Sequence, residues 1–209
     1  MKNNIRVIRA FLIKRASRQS FEYFSEDITN PIQDLMLEHG VLRRILLIYR
    51  HFVKTLSKGD TSNMPLLRRA AQLVHSFIEN YHERIEELYL FPVFKQHGVE
   101  VDLIRELENE HESGRALTQG LLKKLITPNP DIQELSTALA KYVDFYERHS
   151  AEEDTIIFPQ FSKLVPLDVF EHLGELMEKS EDRIFGQDGL EHILMEVASI
   201  ENALQLNID

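Results

Sequence analysis

The chain has 209 residues, no cysteine and a formal net charge of −10. Disulfide bonds and thiolate metal sites are therefore excluded, and any metal must be held by histidine, carboxylate or tyrosine side chains. No apolar run is long enough to span a membrane, and the acidic balance argues against nucleic acid as a partner. We expect a cytoplasmic protein whose length allows one domain with a sizeable core.

The first 21 residues differ in charge from the rest of the chain. They carry six of the 24 basic residues, and the first acidic residue is Glu22. Apolar residues are interspersed with these cations, but the unbroken apolar centre of a signal peptide is missing. We expect a basic N-terminal extension over residues 1–30 that forms an ordinary helix or a loose tail. Its alternative is a transit-like leader or an amphipathic helix that contacts a membrane surface through residues 1–21.

Helical periodicity dominates the remaining sequence, and no hairpin signal is present. Asn30 before Pro31 is typical of a helix cap followed by a first turn. The predicted helices cover approximately residues 31–56, 65–92, 102–126 and 131–159. The Phe-Pro pairs at the ends of the second and fourth helices predict a kink or an end, because proline disrupts a helix interior.

Two further helices are predicted after Pro166, separated by a turn at residues 186–189. Four helices joined by short loops are typical of antiparallel neighbours. We therefore predict an all-α fold, with an antiparallel up-down four-helix bundle over residues 31–165. The N-terminal extension precedes this bundle, and a C-terminal helical extension over residues 166–209 packs on it.

The first and third predicted helices share one motif, and the second and fourth share another. The motif L-x-x-E-H-x-x-x-R contains His39 in the first helix and His111 in the third. The motif H-x-x-x-E-x-x-x-x-F-P occurs as His82, Glu86, Phe91, Pro92 and as His149, Glu153, Phe158, Pro159. The chain therefore contains two copies of one helix pair at a period of about 70 residues.

These motifs predict a metal site in the core. Histidine and glutamate four residues apart lie on one helix face, with Cβ atoms about 5–6 Å apart. The histidines of all four helices fall within apolar stripes, so their side chains are predicted to converge. Buried carboxylates cost several kcal/mol each unless cations compensate them. The predicted ligands of two metal ions are His39, His82, Glu86, His111, His149 and Glu153. Iron, manganese and zinc suit this ligand set, and iron suits a bundle around two ions.

The paired motifs resemble those of the hemerythrin-like (HHE cation-binding) family over about residues 31–165. Members of this family are four-helix bundles with a non-haem di-iron centre that binds oxygen. The resemblance implies two oxo- or hydroxo-bridged iron ions, with the four histidines as terminal ligands and Glu86 and Glu153 as bridging ligands. It also implies oxygen, peroxide or nitric oxide as a small ligand, bound for sensing, storage or scavenging.

The sequence departs from the oxygen-carrying members at one position. Their third helix supplies two histidines one turn apart, whereas Arg115 follows His111 here. One more coordination position is then open, which favours reaction with oxidants and leaves open whether the protein is an enzyme. The alternative functions are a di-iron oxidase, peroxidase or nitric-oxide-reacting enzyme, or an iron-handling protein. Glu108, Tyr146 or neither completes the site, since each lies about one turn from a predicted ligand.

Glu38 and Glu110 directly precede the first and third ligand histidines. We expect them to orient neighbouring groups or to pair with Arg43, Arg115 or other cations, because imidazole N–H groups in metal sites need acceptors. Glu87 is expected to be solvated or to support the ligands.

Three positions along the same helices carry further expectations. His75, two turns before the histidine of the second helix, is expected to pack in the core, with an access path to the metal as the alternative. Gly40 and Gly114 are costly in mid-helix, which predicts a close approach of neighbouring helices at both.

Overall fold

A computed structural model describes residues 30–206. All secondary structure assigned in that range is helical, which confirms the all-α class. The six helices of this range are α1 (Pro31–Leu56), α2 (residues 64–97), α3 (Val101–Ile126), α4 (residues 132–164), α5 (Leu167–Phe185) and α6 (Gly189–Ala203). The basic segment and its proposed membrane contact fall within residues 1–29, outside the described residues. Among the helices described, none combines the length and hydropathy that crossing a bilayer requires.

Helices α2 and α4 each contain π-helical turns. In α2, α-helix over Met64–Leu73, Glu83–Ile85 and Phe91–His97 alternates with π-helix over Val74–His82 and Glu86–Leu90. In α4, the π-helix Glu153–Ile157 separates Ile132–Glu152 from Phe158–Leu164. Both Phe-Pro pairs directly follow a π-helical turn. Proline has no N–H to donate to the preceding turn, and the wider π turn accommodates this loss, so the Phe-Pro pair lies inside a continuous helix.

Local capping explains where several helices begin and end. The side chain of Asn30 accepts hydrogen bonds from two backbone N–H groups of α1, at 3.1 and 3.2 Å, as predicted for a cap. Helix α2 ends at His97, and the following Gly98 adopts a left-handed φ of 68°, a conformation that costs glycine little. The side chain of Asp131 accepts a backbone N–H of α4 at 2.9 Å.

Contacts between side chains align α1 with α4. Arg50 pairs with Glu147 at 2.5 Å, and Arg43, two turns earlier in α1, pairs with Asp154, two turns later in α4. These two helices therefore run in opposite directions. Helix α2 contacts both α1 and α3, and α3 also contacts α4, so α1–α4 enclose a common core.

The C-terminal helices cover part of this bundle. Arg44 on α1 forms two hydrogen bonds to the buried carboxylate of Glu201 on α6, at 2.8 and 2.5 Å. Phe185 on α5 lies 5.6 Å, centroid to centroid, from the rings of Phe77 and Tyr81 on α2. Both contacts involve residues beyond the repeated helix pairs, so α5 and α6 stabilise the bundle from outside.

Only one of the two glycines singled out above lies at a close helix contact. A Cβ atom at Gly114 would lie 2.8 Å from Cζ of Tyr146 and overlap with its hydroxyl group. At Gly40 no heavy atom lies within 4 Å of such an atom. The predicted close approach is therefore confirmed at Gly114 and wrong at Gly40.

We predict that Gly114→Ala destabilises the protein by about 1–3 kcal/mol, because the new methyl group displaces the buried Tyr146 ring. Gly120→Ala is the matched control, since nothing lies within 4 Å of a Cβ atom there. That control is expected to be neutral or stabilising by about 0.5–1 kcal/mol, as alanine replaces glycine in a helix. Denaturant unfolding of the metal-free proteins measures both, and equal effects would contradict the contact.

Candidate metal centre

The structure brings all six predicted metal-binding side chains together inside the bundle. None of them is more than 2 % exposed. They are His39 on α1, His82 and Glu86 on α2, His111 on α3, and His149 and Glu153 on α4. The second π-helical segment of α2 and the π-helical segment of α4 begin at Glu86 and Glu153, so an irregular turn of each copy coincides with the site.

The imidazoles form two pairs. Nε2 of His39 lies 2.9 Å from Nε2 of His82, and Nε2 of His111 lies 3.1 Å from Nε2 of His149. Each pair joins one helix of the first motif to one helix of the second. The internal repeat is therefore reproduced as two similar groups of nitrogen atoms.

The two glutamates lie between the imidazole pairs. Oε1 of Glu86 is 3.6 Å from Nε2 of His82, and its Oε2 is 3.5 Å from Nε2 of His111. Oε2 of Glu153 is 3.4 Å from Nε2 of His39 and 3.3 Å from Nε2 of His149. Each carboxylate therefore reaches both pairs, which is the arrangement required of a group that bridges two ions.

On the side away from the centre, each imidazole donates its Nδ1–H to a carboxylate. The pairs are His39 with Asp154 at 2.8 Å, His82 with Glu38 at 2.6 Å, His111 with Glu87 at 3.1 Å and His149 with Glu110 at 2.9 Å. The pairing follows the repeat, because the residue before a histidine or after a central glutamate supplies the acceptor. An ionised carboxylate only accepts hydrogen bonds, so the Nδ1 atoms carry the protons and the Nε2 lone pairs face the centre.

Arginine side chains support three of these carboxylates from outside. Asp154 pairs with Arg43, Glu87 with Arg115, and Glu110 with Arg148. Although burial opposes it, hydrogen bonds from His111 and Arg115 lower the pKa of Glu87 to about 2. Glu38 and Glu110 thus accept hydrogen bonds from imidazoles of neighbouring helices, and Glu110 also pairs with a cation, as expected. Asp154 was not predicted, and its equivalence to Glu87 in the repeat is the signal that identifies it.

Burial shifts the pKa values of three imidazoles and both glutamates of the centre. It lowers the pKa of His39 and of His111 to about 3, and it lowers the pKa of His82 as well. Burial also raises the pKa of Glu86 well above its ordinary value, and the nearby Glu153 raises it further. Burial likewise raises the pKa of Glu153 well above its ordinary value. Both oxygens of both glutamates lack a hydrogen-bond partner among residues 30–206. Protein atoms alone therefore leave four acceptors and several opposed lone pairs uncompensated.

Metal ions fit this arrangement. Two ligand atoms about 2.1 Å from one ion lie about 3.0 Å apart at a right angle and about 3.4 Å apart at a tetrahedral angle. The nitrogen and oxygen atoms of the centre are separated by 2.9 to 3.7 Å. Imidazole with carboxylate suits iron, manganese or zinc. The donor set and its spacing therefore satisfy the requirements of a metal centre.

The two alternative ligands occupy different surroundings. Glu108 is partly exposed and pairs with Lys95 at 2.5 Å, so it lies outside the centre. The buried hydroxyl group of Tyr146 donates to Oε1 of Glu83 at 3.0 Å. Glu83, which the motifs did not single out, is 1 % exposed, and with Glu87 it offers oxygens within 4.8 Å of a nitrogen of His111.

Arg115 stands where the oxygen carriers' additional histidine would be expected. Its guanidinium group lies 2.9 Å from Glu83 and also pairs with Glu87. This arginine is therefore held by carboxylates beside His111.

Comparison with known proteins agrees with this geometry. The family model of the hemerythrin HHE cation binding domain matches residues 30–161, which contain all six side chains. The chain belongs to the hemerythrin HHE cation-binding family. Uncharacterized relatives occur in Mycobacterium bovis (strain ATCC BAA-935 / AF2122/97) and in Mycobacterium tuberculosis strains CDC 1551 / Oshkosh and H37Rv. Each is 38% identical to this HHE protein over 181 residues, which cover 85% of this chain and 71% of the relative. No solved structure gives a significant match.

We predict that Asp154→Asn lowers the metal affinity of this HHE protein by about 10–100-fold, the usual effect of losing an acceptor that orients a ligand. Asp144→Asn makes the same change at an exposed position of the same helix and should leave the affinity unchanged. Competition with a chromophoric chelator measures both variants. Equal affinities would show that the Asp154–His39 contact does not orient a ligand.

Proposed function

We propose that this HHE protein holds two iron ions in the described centre and binds oxygen or a related small ligand there, for sensing, storage or scavenging. The observation that carries this proposal is the position of Glu86 and Glu153 between the two imidazole pairs. Four buried acceptor atoms without hydrogen-bond partners in the described part of the chain support it. Manganese and zinc are the alternative metals for the same donor set.

The proposed architecture is an antiparallel up-down four-helix bundle formed by α1–α4. The opposite directions of α1 and α4 support it. We propose residues 31–165 as the metal-binding domain, preceded by the extension 1–30 and followed by the helical extension 166–209. Residues 30–161, matched by the family model, support these limits.

The residues around the centre have distinct roles in this proposal. The four histidines would be terminal ligands, and Glu86 and Glu153 would bridge the ions. Iron, when bound, supplies the open coordination positions and the redox chemistry. The rings of Phe158 and Phe91 stack on His39 and His111, with centroids 5.2 and 5.5 Å apart, and exclude water from that end of the centre.

We predict that the purified protein contains about two iron ions per chain and that Glu86→Gln with Glu153→Gln reduces this content to less than half, because the bridging charges are lost. Elemental analysis measures the content. Glu106→Gln with Glu112→Gln is a matched control, since both side chains are exposed on α3.

Denaturant unfolding of the metal-free proteins should show the Glu86→Gln, Glu153→Gln variant to be at least as stable as wild type, because two buried ionisable groups become neutral. An unchanged iron content in that variant would refute the ligand assignment.

The position of Arg115 favours a second candidate function. No histidine of α3 follows His111 by one turn, and Arg115 is held by Glu83 and Glu87. A centre with fewer histidines offers more open positions, which suits a di-iron oxidase, a peroxidase or an enzyme that reacts with nitric oxide.

Absorption spectra of the iron-loaded protein distinguish the two functions. For reversible binding, we expect charge-transfer bands that change with oxygen or azide and return when the ligand is removed. Sustained consumption of peroxide or nitric oxide, with irreversible loss of the bands in oxygen, would favour the enzyme. The double glutamate variant is the control, because it should show neither behaviour.

A further inference from the structure

Polar side chains continue from the metal centre into the core of the bundle. We call this set the polar column; none of its members is more than 1 % exposed, and all four helices α1–α4 contribute. It comprises Tyr49, Glu79, Glu83, Thr118, Tyr142 and Tyr146. None of these residues is among the six proposed ligands. The metal centre alone therefore does not explain why they are polar.

Hydrogen bonds and ring contacts connect the polar column to the centre. Glu83 offers an oxygen within 4.8 Å of a nitrogen of His111 and accepts a hydrogen bond from Tyr146 at 3.0 Å. The ring of Tyr146 stacks on that of Tyr142 at 4.6 Å, and Thr118 donates to the Tyr142 hydroxyl group at 3.2 Å. The inner end of the column thus lies beside one imidazole of the centre.

The outer end of the polar column reaches the surface through His75. Glu79 lies 3.0 Å from Nδ1 of His75, and that side chain is 45% exposed. His75 lines a groove of about 490 Å³ between α2 and α3, together with Gln72 and Gln119. The expectation that His75 packs in the core is therefore wrong, because its side chain is half-exposed in this groove while it contacts the buried carboxylate of Glu79.

The internal repeat shows that the polar column is an addition to the metal motif. The ligands of α2 recur in α4, but the positions of α4 equivalent to His75, Glu79 and Glu83 hold Tyr142, Tyr146 and Ser150. The π-helix Val74–His82 of α2 likewise has no equivalent in α4. π-helical turns are often found at functional sites. The acidic side of the column is therefore specific to one copy of the repeat.

Three polar atoms of the column lack a hydrogen-bond partner within residues 30–206: the hydroxyl group of Tyr49, Oε1 of Glu79 and Oε2 of Glu83. Oε2 of Glu83 is compensated by its ion pair with Arg115. The other two atoms belong to fully buried residues and have no such compensation. Burial and the nearby Glu79 carboxylate raise the pKa of Tyr49, so the two groups interact electrostatically. Buried polar groups without a protein partner are ordinarily satisfied by internal water. Small guests that donate and accept hydrogen bonds would satisfy these groups in the same way as water.

The opposite side of the centre is apolar. There, both Phe-Pro segments contribute buried phenyl rings, and Phe94 and Phe161 lie 6.3 Å apart. Phe91 and Phe158 complete this side against the imidazoles. A guest that hydrogen-bonds to water would lose those hydrogen bonds among these rings, whereas an apolar gas has no such bonds to lose. The two sides of the centre thus offer different solvation to different reactants.

We propose that the polar column is a hydrated passage from the groove at His75 to the metal centre, and that it admits hydrogen peroxide, a small hydrogen-bonding oxidant, in preference to dioxygen. The part that concerns reaction at the centre rests on the proposed function. Peroxide both donates and accepts hydrogen bonds, so it replaces water at Tyr49 and Glu79 without leaving either group unpaired. Dioxygen donates no hydrogen bond and would leave the buried polar groups unpaired, so this passage does not favour its entry.

Stopped-flow mixing of the iron-loaded protein with each oxidant tests the passage. Glu79→Leu removes the hydrogen-bonding groups at similar volume, and Glu79→Gln is the matched variant that keeps them. For Leu we expect a roughly tenfold lower rate constant with peroxide, the effect of one lost hydrogen bond, and an unchanged rate constant with dioxygen. For Gln both rate constants should stay near wild type. Equal losses with both oxidants, or no loss with peroxide, would overturn the preference.

A crystal structure of the metal-free protein provides a readout that is independent of iron. We expect ordered water between Tyr49 and Glu79, and its loss in Glu79→Leu; Tyr49→Phe is a second variant that should lose water at one site only. A dry column in wild type would overturn the passage. Elemental analysis separates the two failures, because a protein without two metal ions refutes the proposed function and leaves the test of hydration valid.

Discussion

The central physical constraint is the burial of two carboxylates with no hydrogen-bond donor in the described chain to compensate them. Glu86 and Glu153 lie in the middle of the bundle, and the Nε2 lone pairs around them come within 2.9 Å of one another. Desolvation makes two such acids costly when ionised, and neutral imidazoles supply no positive charge. Cations bound between the imidazole pairs would remove both problems at once. Metal binding would then be coupled to bundle stability, because the six side chains come from all four helices α1–α4.

The surroundings of the centre reinforce this constraint from outside. Each imidazole is oriented by a carboxylate, and three of these carboxylates are in turn paired with arginine. Alternating charge keeps the Nδ1 protons in place, so the ligand lone pairs stay directed inward. Because the repeat supplies both copies of this arrangement, one helix-pair design produces two similar imidazole pairs.

Departures from the repeat give the centre two unlike sides. Phenyl rings from both Phe-Pro segments close one side, while carboxylates and phenols extend from the other. Gly114 belongs to this asymmetry, because the absence of its Cβ atom leaves room for the hydroxyl group of Tyr146, which in turn contacts Glu83. Arg115 completes that side by pairing with Glu83. The six central side chains would set which ions bind, and in our proposal the unlike sides select the reactants that approach them.

The sequence by itself determined the helices and the membership of the central cluster, because both depend on local spacing. A histidine and a glutamate four residues apart share a helix face in any context, so His82 with Glu86 and His149 with Glu153 were predictable. Tertiary structure alone decided which acids approach which imidazoles, since Asp154 and His39 are far apart in the chain. It also decided that Gly40 faces open space while Gly114 meets Tyr146, and that Glu83 and Glu79 are buried. Such contacts depend on how neighbouring helices are rotated and aligned, and periodicity within one helix carries no information about the residues opposite it.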